Sequence, residues 1–149
     1  MGQRPMAGVA LLVSLLALSL VACGGPDVTF VSENADYTLD DVEALHASQR
    51  PPSSIAGAAV AEASELRHEA LVELRSRGDE SAELAEFVTV ALADTGRSVL
   101  YYGEAAVVEG SPAWVILEAW GAEGGTLDST RLWVFDRASG AVVYSSTSR

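Results

Sequence analysis

The sequence predicts an α+β fold: two to three N-terminal helices packed on one face of an antiparallel sheet of about four strands. Three observations carry this. Apolar residues recur at helical spacing between residues 38 and 94. From residue 98 to 146 the apolar period changes to two. The strand segments follow one another across short turns, as in a meander, and helices before strands is the order of an α+β layer.

The first helix is expected over 38–49, with Thr38 as N-cap, Asp41 three residues on, and Leu39, Val42, Leu45 and His46 on one face. Tyr37 and Val42 have the spacing of a hydrophobic staple, and Pro51-Pro52 stops the helix. The second is expected over about 55–77, with Leu66, Ala70, Leu71 and Leu74 as its stripe. Glu65, Glu69 and Glu73 line its outer side, Glu73 and Arg77 form an i,i+4 pair, and Gly78 ends it. Asp79 then caps a third helix over 79–94, whose Leu84, Phe87, Val88, Ala91 and Leu92 make the clearest amphipathic pattern in the chain.

Beyond Gly96, Ser98–Tyr102 and Ala105–Glu109 read as one strand with a bulge at Gly103. Glu109–Pro112 reads as a turn. Trp114–Trp120 alternates, with Trp114, Ile116, Glu118 and Trp120 on one face. Gly121–Asp128 is a loop, Thr130–Phe135 a strand, and Ala141–Ser146 closes the last hairpin. Asp136–Gly140 suits a type I turn followed by a left-handed glycine.

The N-terminus has its own organisation. A short polar start carrying Arg4 precedes an almost wholly apolar run, Met6 to Val21, which suits a signal-peptide core and is short for a retained span. The run ends in Leu20-Val21-Ala22-Cys23, which holds the only cysteine. These four residues resemble the lipobox of bacterial lipoproteins. The resemblance covers the first 23 residues and implies lipid attachment to the Cys23 thiol and cleavage after Ala22. Residues 1–22 are then a signal peptide, 23–36 a flexible tether, and 37–149 a single small domain. Within the tether, Val28–Val31 has the alternative of joining the sheet as an edge strand. The expected location is the extracytoplasmic face of a membrane. If the cell has two membranes, Gly24 after the cysteine is compatible with outer-membrane sorting.

Charge narrows the partners. Loss of Arg4 with the leader takes the formal charge from −12 to −13. That speaks against nucleic acid, which requires a basic face, and against adhesion to anionic headgroups. A membrane held through Cys23 and an envelope protein or peptide remain as partners. A lone cysteine permits no intramolecular disulfide.

Catalytic patterns are sparse. Glu65-x-x-His68-Glu69 sets a carboxylate and an imidazole one turn apart, but di-metal bundles need two such pairs, so no metal or other cofactor is expected. No Gly-x-Ser-x-Gly elbow and no phosphate loop occur. Glu104, Glu118 and Asp128 lie in or near strands. Glu118 stands out for sharing a face with aromatic residues, although an acid on a strand usually marks the exposed side. Trp114, Glu118, Trp120 and Trp133 are therefore the candidate ligand-binding residues, with no catalytic residue named.

The closing Leu132–Asp136 and Ser139–Val143 are similar to the last hairpin of PepSY-type domains, which place an aspartate and a glycine around the same turn. That resemblance implies an accessory or inhibitory module for a secreted hydrolase. The leading expectation is a non-enzymatic, membrane-anchored binding module. A PepSY-like accessory domain is the alternative, and a small carboxylate-dependent hydrolase the third.

Overall fold

Residues 25–149 are described by a computed structural model; the Leu20–Cys23 motif lies outside the described residues. Helix α1 (Leu39–Ser48) starts where the sequence sets it. The Thr38 hydroxyl accepts from the Asp41 amide at 3.2 Å, and the Asp41 carboxylate accepts from the Thr38 amide at 2.9 Å. Helix α2 (Ala63–Ser76) buries Ala70, Leu71 and Leu74, and the Glu73–Arg77 ion pair is present. Helix α3 (Asp79–Ala91) buries Leu84, Ala85 and Val88.

Two local expectations change. Gly78, at φ +138°, takes the N-cap position of α3, so Asp79 is its first helical residue and serves the dipole without capping. The second helix does not extend back to residue 55: Ile55–Ala59 is turn and extended chain, and only Val60–Glu62 forms a 3-10 turn. Its backbone groups are used elsewhere, since Val60 N–H donates to Gly125 and Leu127 N–H to Ala58.

Among the described residues the sheet has six strands, more than the four expected. Strands β3 (Ser98–Val108), β4 (Ser111–Trp120), β5 (Ser129–Asp136) and β6 (Val142–Ser148) form the antiparallel meander. Two short strands, β1 (Thr29–Val31) and β2 (Asp36–Tyr37), lie parallel to β3 along its outer edge. Of the expected tether 23–36, residues 28–36 are therefore not free; Val28 is buried and its carbonyl accepts from the Arg77 guanidinium.

The register shift in β3 falls between Leu100 and Tyr102, not at Gly103. Gly103 answers a different need, because a Cβ there would overlap Leu84 of α3. The β3–β4 turn is Glu109-Gly110, both residues at positive φ, as a two-residue hairpin requires. In the last hairpin Gly140 is left-handed at φ +71°, and Asp136 Oδ1 accepts from the Ser139 amide at 2.7 Å.

The helices do not share one face. Helices α2 and α3 cover the face bearing Gly103 and Phe135, where Leu84 meets Gly103 and Phe87 meets Phe135 edge-on at 5.0 Å. Helix α1 covers the other. There His46 Nε2 lies 2.8 Å from Thr130 Oγ1, and Tyr144 Oη donates to Glu43. The bulge around Tyr101 fits this face, since Tyr101 Oη donates to the Gln49 carbonyl that follows α1. Beta strands with both faces covered explain why β3 and β4 are buried almost throughout.

The buried His46 has a pH consequence. Burial pushes its pKa below the ordinary value, and Glu43 opposes this in part. The unfolded chain then takes up more protons as pH falls, so this contribution is full above about pH 6.5 and is lost below it, through the folded-state pKa. Urea titrations should show stability declining from about pH 7 to pH 5, with a shallower decline in His46→Gln. Equal slopes would remove the assignment. Glu43, Glu80, Asp41 and Asp136 have depressed pKa values and shape only the more acidic limb.

Candidate functional site

Alternation along β4 sets Trp114, Ile116, Glu118 and Trp120 on one face, and register adds Phe135, Trp133 and Arg131 from β5. This is the face under α2 and α3. The expectation that the acid marks a solvated side is overturned: Glu118 is 3 % exposed and Trp114 1 %. The exception has a local cause. Ser98 Oγ donates to Glu118 Oε1 at 3.1 Å, and Trp133 Nε1 donates to Oε2 at 2.8 Å. Both carboxylate oxygens are thereby partnered, which makes burial tolerable.

Arg131 stands opposite Glu118 in the register. Its guanidinium forms no ion pair among the described residues. It lies instead over the rings of Trp120 and Trp133, at 4.9 and 5.5 Å from their centroids. A guanidinium held over ring faces, with no carboxylate paired to it, keeps N–H donors for an acceptor. Beside it is an open cleft of about 350 Å³ lined by Thr95, Arg97, Ser98, Trp120 and Arg131. Arg97 pairs with Glu123 at 2.9 Å at the outer rim. The Trp120 indole N–H is buried and has no partner among the described residues.

The four sequence-derived candidates are thus divided. Trp120 lines the cleft. Trp133 supports Arg131 from one side and Glu118 from the other. Glu118 does not line the cleft; it positions Trp133 and Ser98. Trp114 belongs to the opposite end of β4, about 20 Å along the strand. There Arg137 lies 3.9 Å over its ring and bonds Glu80 and Glu83 of α3. Sequence reasoning missed Arg131, Arg97 and Ser98. Their only signal was strand pairing, which a single chain of residues does not reveal until the register is known.

A second buried acid lies on the α1 face. Glu104 accepts from Tyr102 Oη at 2.6 Å and from Tyr37 Oη at 3.0 Å. Burial, followed by the bond to Glu104, pushes Tyr37 up to about 12 and Tyr102 upward as well. Both phenols therefore stay protonated as donors, and the cluster ties β2 to β3 rather than facing a cleft. Asp128 is exposed and accepts from the neighbouring Ser129 hydroxyl at 3.1 Å.

Glu65 and His68 are both exposed on α2, and among the described residues no group of three metal-ligating side chains occurs. Among the same residues no helix is long and apolar enough to cross a membrane. Comparison with protein-family models, with curated proteins and with solved structures gives no match.

Proposed function

We propose that the chain is an extracytoplasmic lipoprotein, anchored through Cys23, and a non-enzymatic binding module. Its ligand carries an anionic group, a carboxylate or a phosphate, and seats it in the cleft beside Arg131. One observation carries the binding part of this reading: a guanidinium over two indole rings, without an acidic partner among the described residues, lining a cleft in a chain of net charge −12. In so acidic a protein an arginine spared from ion pairing is a prepared anion receptor, because its fork matches a carboxylate or phosphate in two parallel hydrogen bonds. The anchoring part rests on the lipobox-like Leu20-Val21-Ala22-Cys23. Two acyl chains hold stably where one is marginal.

The non-enzymatic reading is supported by the positions of the acids. Both oxygens of Glu118 and of Glu104 are occupied by neutral donors, which leaves neither one aimed at the cleft.

Tryptophan emission of the full chain, titrated with short carboxylates and with inorganic phosphate, tests the cleft. A saturable change is expected in the wild type, weakened at least about tenfold in Arg131→Gln, the equivalent of ~1.4 kcal/mol. Equal titrations of the two proteins would remove the cleft. For the anchor, Cys23→Ser should abolish incorporation of labelled fatty acid and leave the precursor uncleaved. Continued labelling of that variant would overturn the anchor.

A further inference from the structure

The start of the described chain is fastened to α2. Pro26 and Val28 are buried, and the Val28 carbonyl accepts from Arg77 in the residue after α2. Gly25 lies on the helix: a Cβ there would come within 3.2 Å of Glu69 Cβ. Thr29 then enters the sheet opposite Tyr102. Between Gly25 and Cys23 there is one residue, Gly24. Two extended residues span at most about 7 Å. A leash of that length is shorter than the diameter of one helix, ~10 Å.

We infer that the anchored domain has a fixed orientation, with the groove between Gly25 and the outer side of α2 lying against the bilayer and α1 facing away. This rests on the lipid anchor proposed above. The groove encloses about 470 Å³ and is lined by Gly25, Asp27, His68, Glu69, Val72 and Glu73, with Ser76 at one end. Val72 is a large apolar side chain 49 % exposed on it. The opposite pole is defined by two independent features. Helix α1 lies on the other face of the sheet, and it runs from its start beside β2 and Glu109 across to β5 and β6, where His46 meets Thr130 and Ser146. Four strand spacings separate β1 from β6, ~19 Å, and the sheet and α1 add thickness in the second direction. With α2 against the bilayer, α1 lies on the distant side of the sheet, and its end over β5 and β6 is the part farthest from the β1 edge.

The partner is the bilayer surface itself, and the cause is reach rather than attraction. Glu69 and Glu73 border the groove, so anionic headgroups would be repelled. The contact is enforced by the leash and is best suited to zwitterionic lipid. One consequence is that the free edge of β6 and the outer side of α1 are the surfaces offered to soluble partners.

The test uses the full lipidated chain reconstituted in phosphatidylcholine vesicles. Acylation consumes the Cys23 thiol as a thioether, so an introduced cysteine is the only free one. Ser76→Cys beside the groove and Ala47→Cys on α1 are both exposed positions. Each is labelled with a fluorophore and quenched by lipids carrying a nitroxide at the headgroup. Quenching at residue 76 should exceed that at residue 47 at least about threefold, and inserting ten Gly-Ser residues between Gly24 and Gly25 should remove the difference. Equal or reversed quenching in an acylated chain overturns the orientation. A difference that survives the insertion overturns the short leash as its cause. Absence of acyl mass at Cys23, with that thiol labelling as well, identifies failure of the anchor reading instead.

Discussion

Trp114→Ala should destabilise the protein by about 3–5 kcal/mol, the largest effect expected of a single substitution in this chain. The indole is 1 % exposed and pairs with Phe135 across the sheet. Its outer surface is capped by the Arg137 guanidinium, 3.9 Å from the ring centroid, which is itself held by Glu80 at 2.9 Å and Glu83 at 3.2 Å. Truncation removes the ring, leaves a cavity between β4 and α3, and frees Arg137 from the surface it packs on. Urea unfolding should show a lower midpoint with an unchanged slope, because the fold lost is the same fold. Trp114→Phe should lose much less, since most of the buried volume stays. A loss below about 1 kcal/mol for the alanine variant would mean that the site collapses freely, against the packing described.

Glu118→Leu should cost about 2–4 kcal/mol, from a buried donor at Ser98 and a half-buried one at Trp133 left without an acceptor, the full penalty being about 1–3 kcal/mol for a buried group. Those donors are Ser98 Oγ and Trp133 Nε1, at 3.1 and 2.8 Å from the two carboxylate oxygens. Glu118→Gln should cost only about 1 kcal/mol. The amide oxygen still accepts from Trp133, and its NH₂ donates to Ser98 once that hydroxyl turns. The pair of variants separates a positioning acid from a catalytic one. If Glu118 were the working carboxylate of a hydrolase, the glutamine variant would be stable and inert towards a substrate that the wild type turns over. For a positioning acid, the glutamine variant keeps anion titration and the leucine variant loses it together with the packing of Trp133 and Arg131. Equal stabilities for the two variants would contradict the hydrogen bonds assigned to Glu118.

Local structure was the legible part. The capping box at Thr38 and Asp41, the stripes of α2 and α3, the alternation of β4 and the left-handed Gly140 all arise from neighbours within a few residues. Errors came where a distant segment supplied the missing partner. Ile55–Ala59 has helix-compatible composition, but its backbone is satisfied by the loop around Gly125–Leu127. Val28–Val31 was open between arm and edge strand, and β3 together with Arg77 decided it. Gly103 resembled a bulge signal, whereas its lack of a side chain admits Leu84.

The same division runs through the site. Sequence alone determined the fold class, the starts of α1 and α3, and the placing of Trp114, Glu118 and Trp120 on one side of a strand. It also supplied the lipobox-like motif at Cys23, which is a matter of residue order and requires no fold. Only the tertiary structure decided that α2 and α3 cover the face bearing Glu118 while α1 crosses to the other, so that both faces are buried. It alone brought Arg131 onto Trp120 and Trp133 and fastened Gly25 to α2. The physical reason is range. Helix caps, turns and strand alternation are set by bonds spanning a few residues. Burial of a polar group depends on whether a donor far along the chain arrives to meet it, as Ser98 and Trp133 do for Glu118.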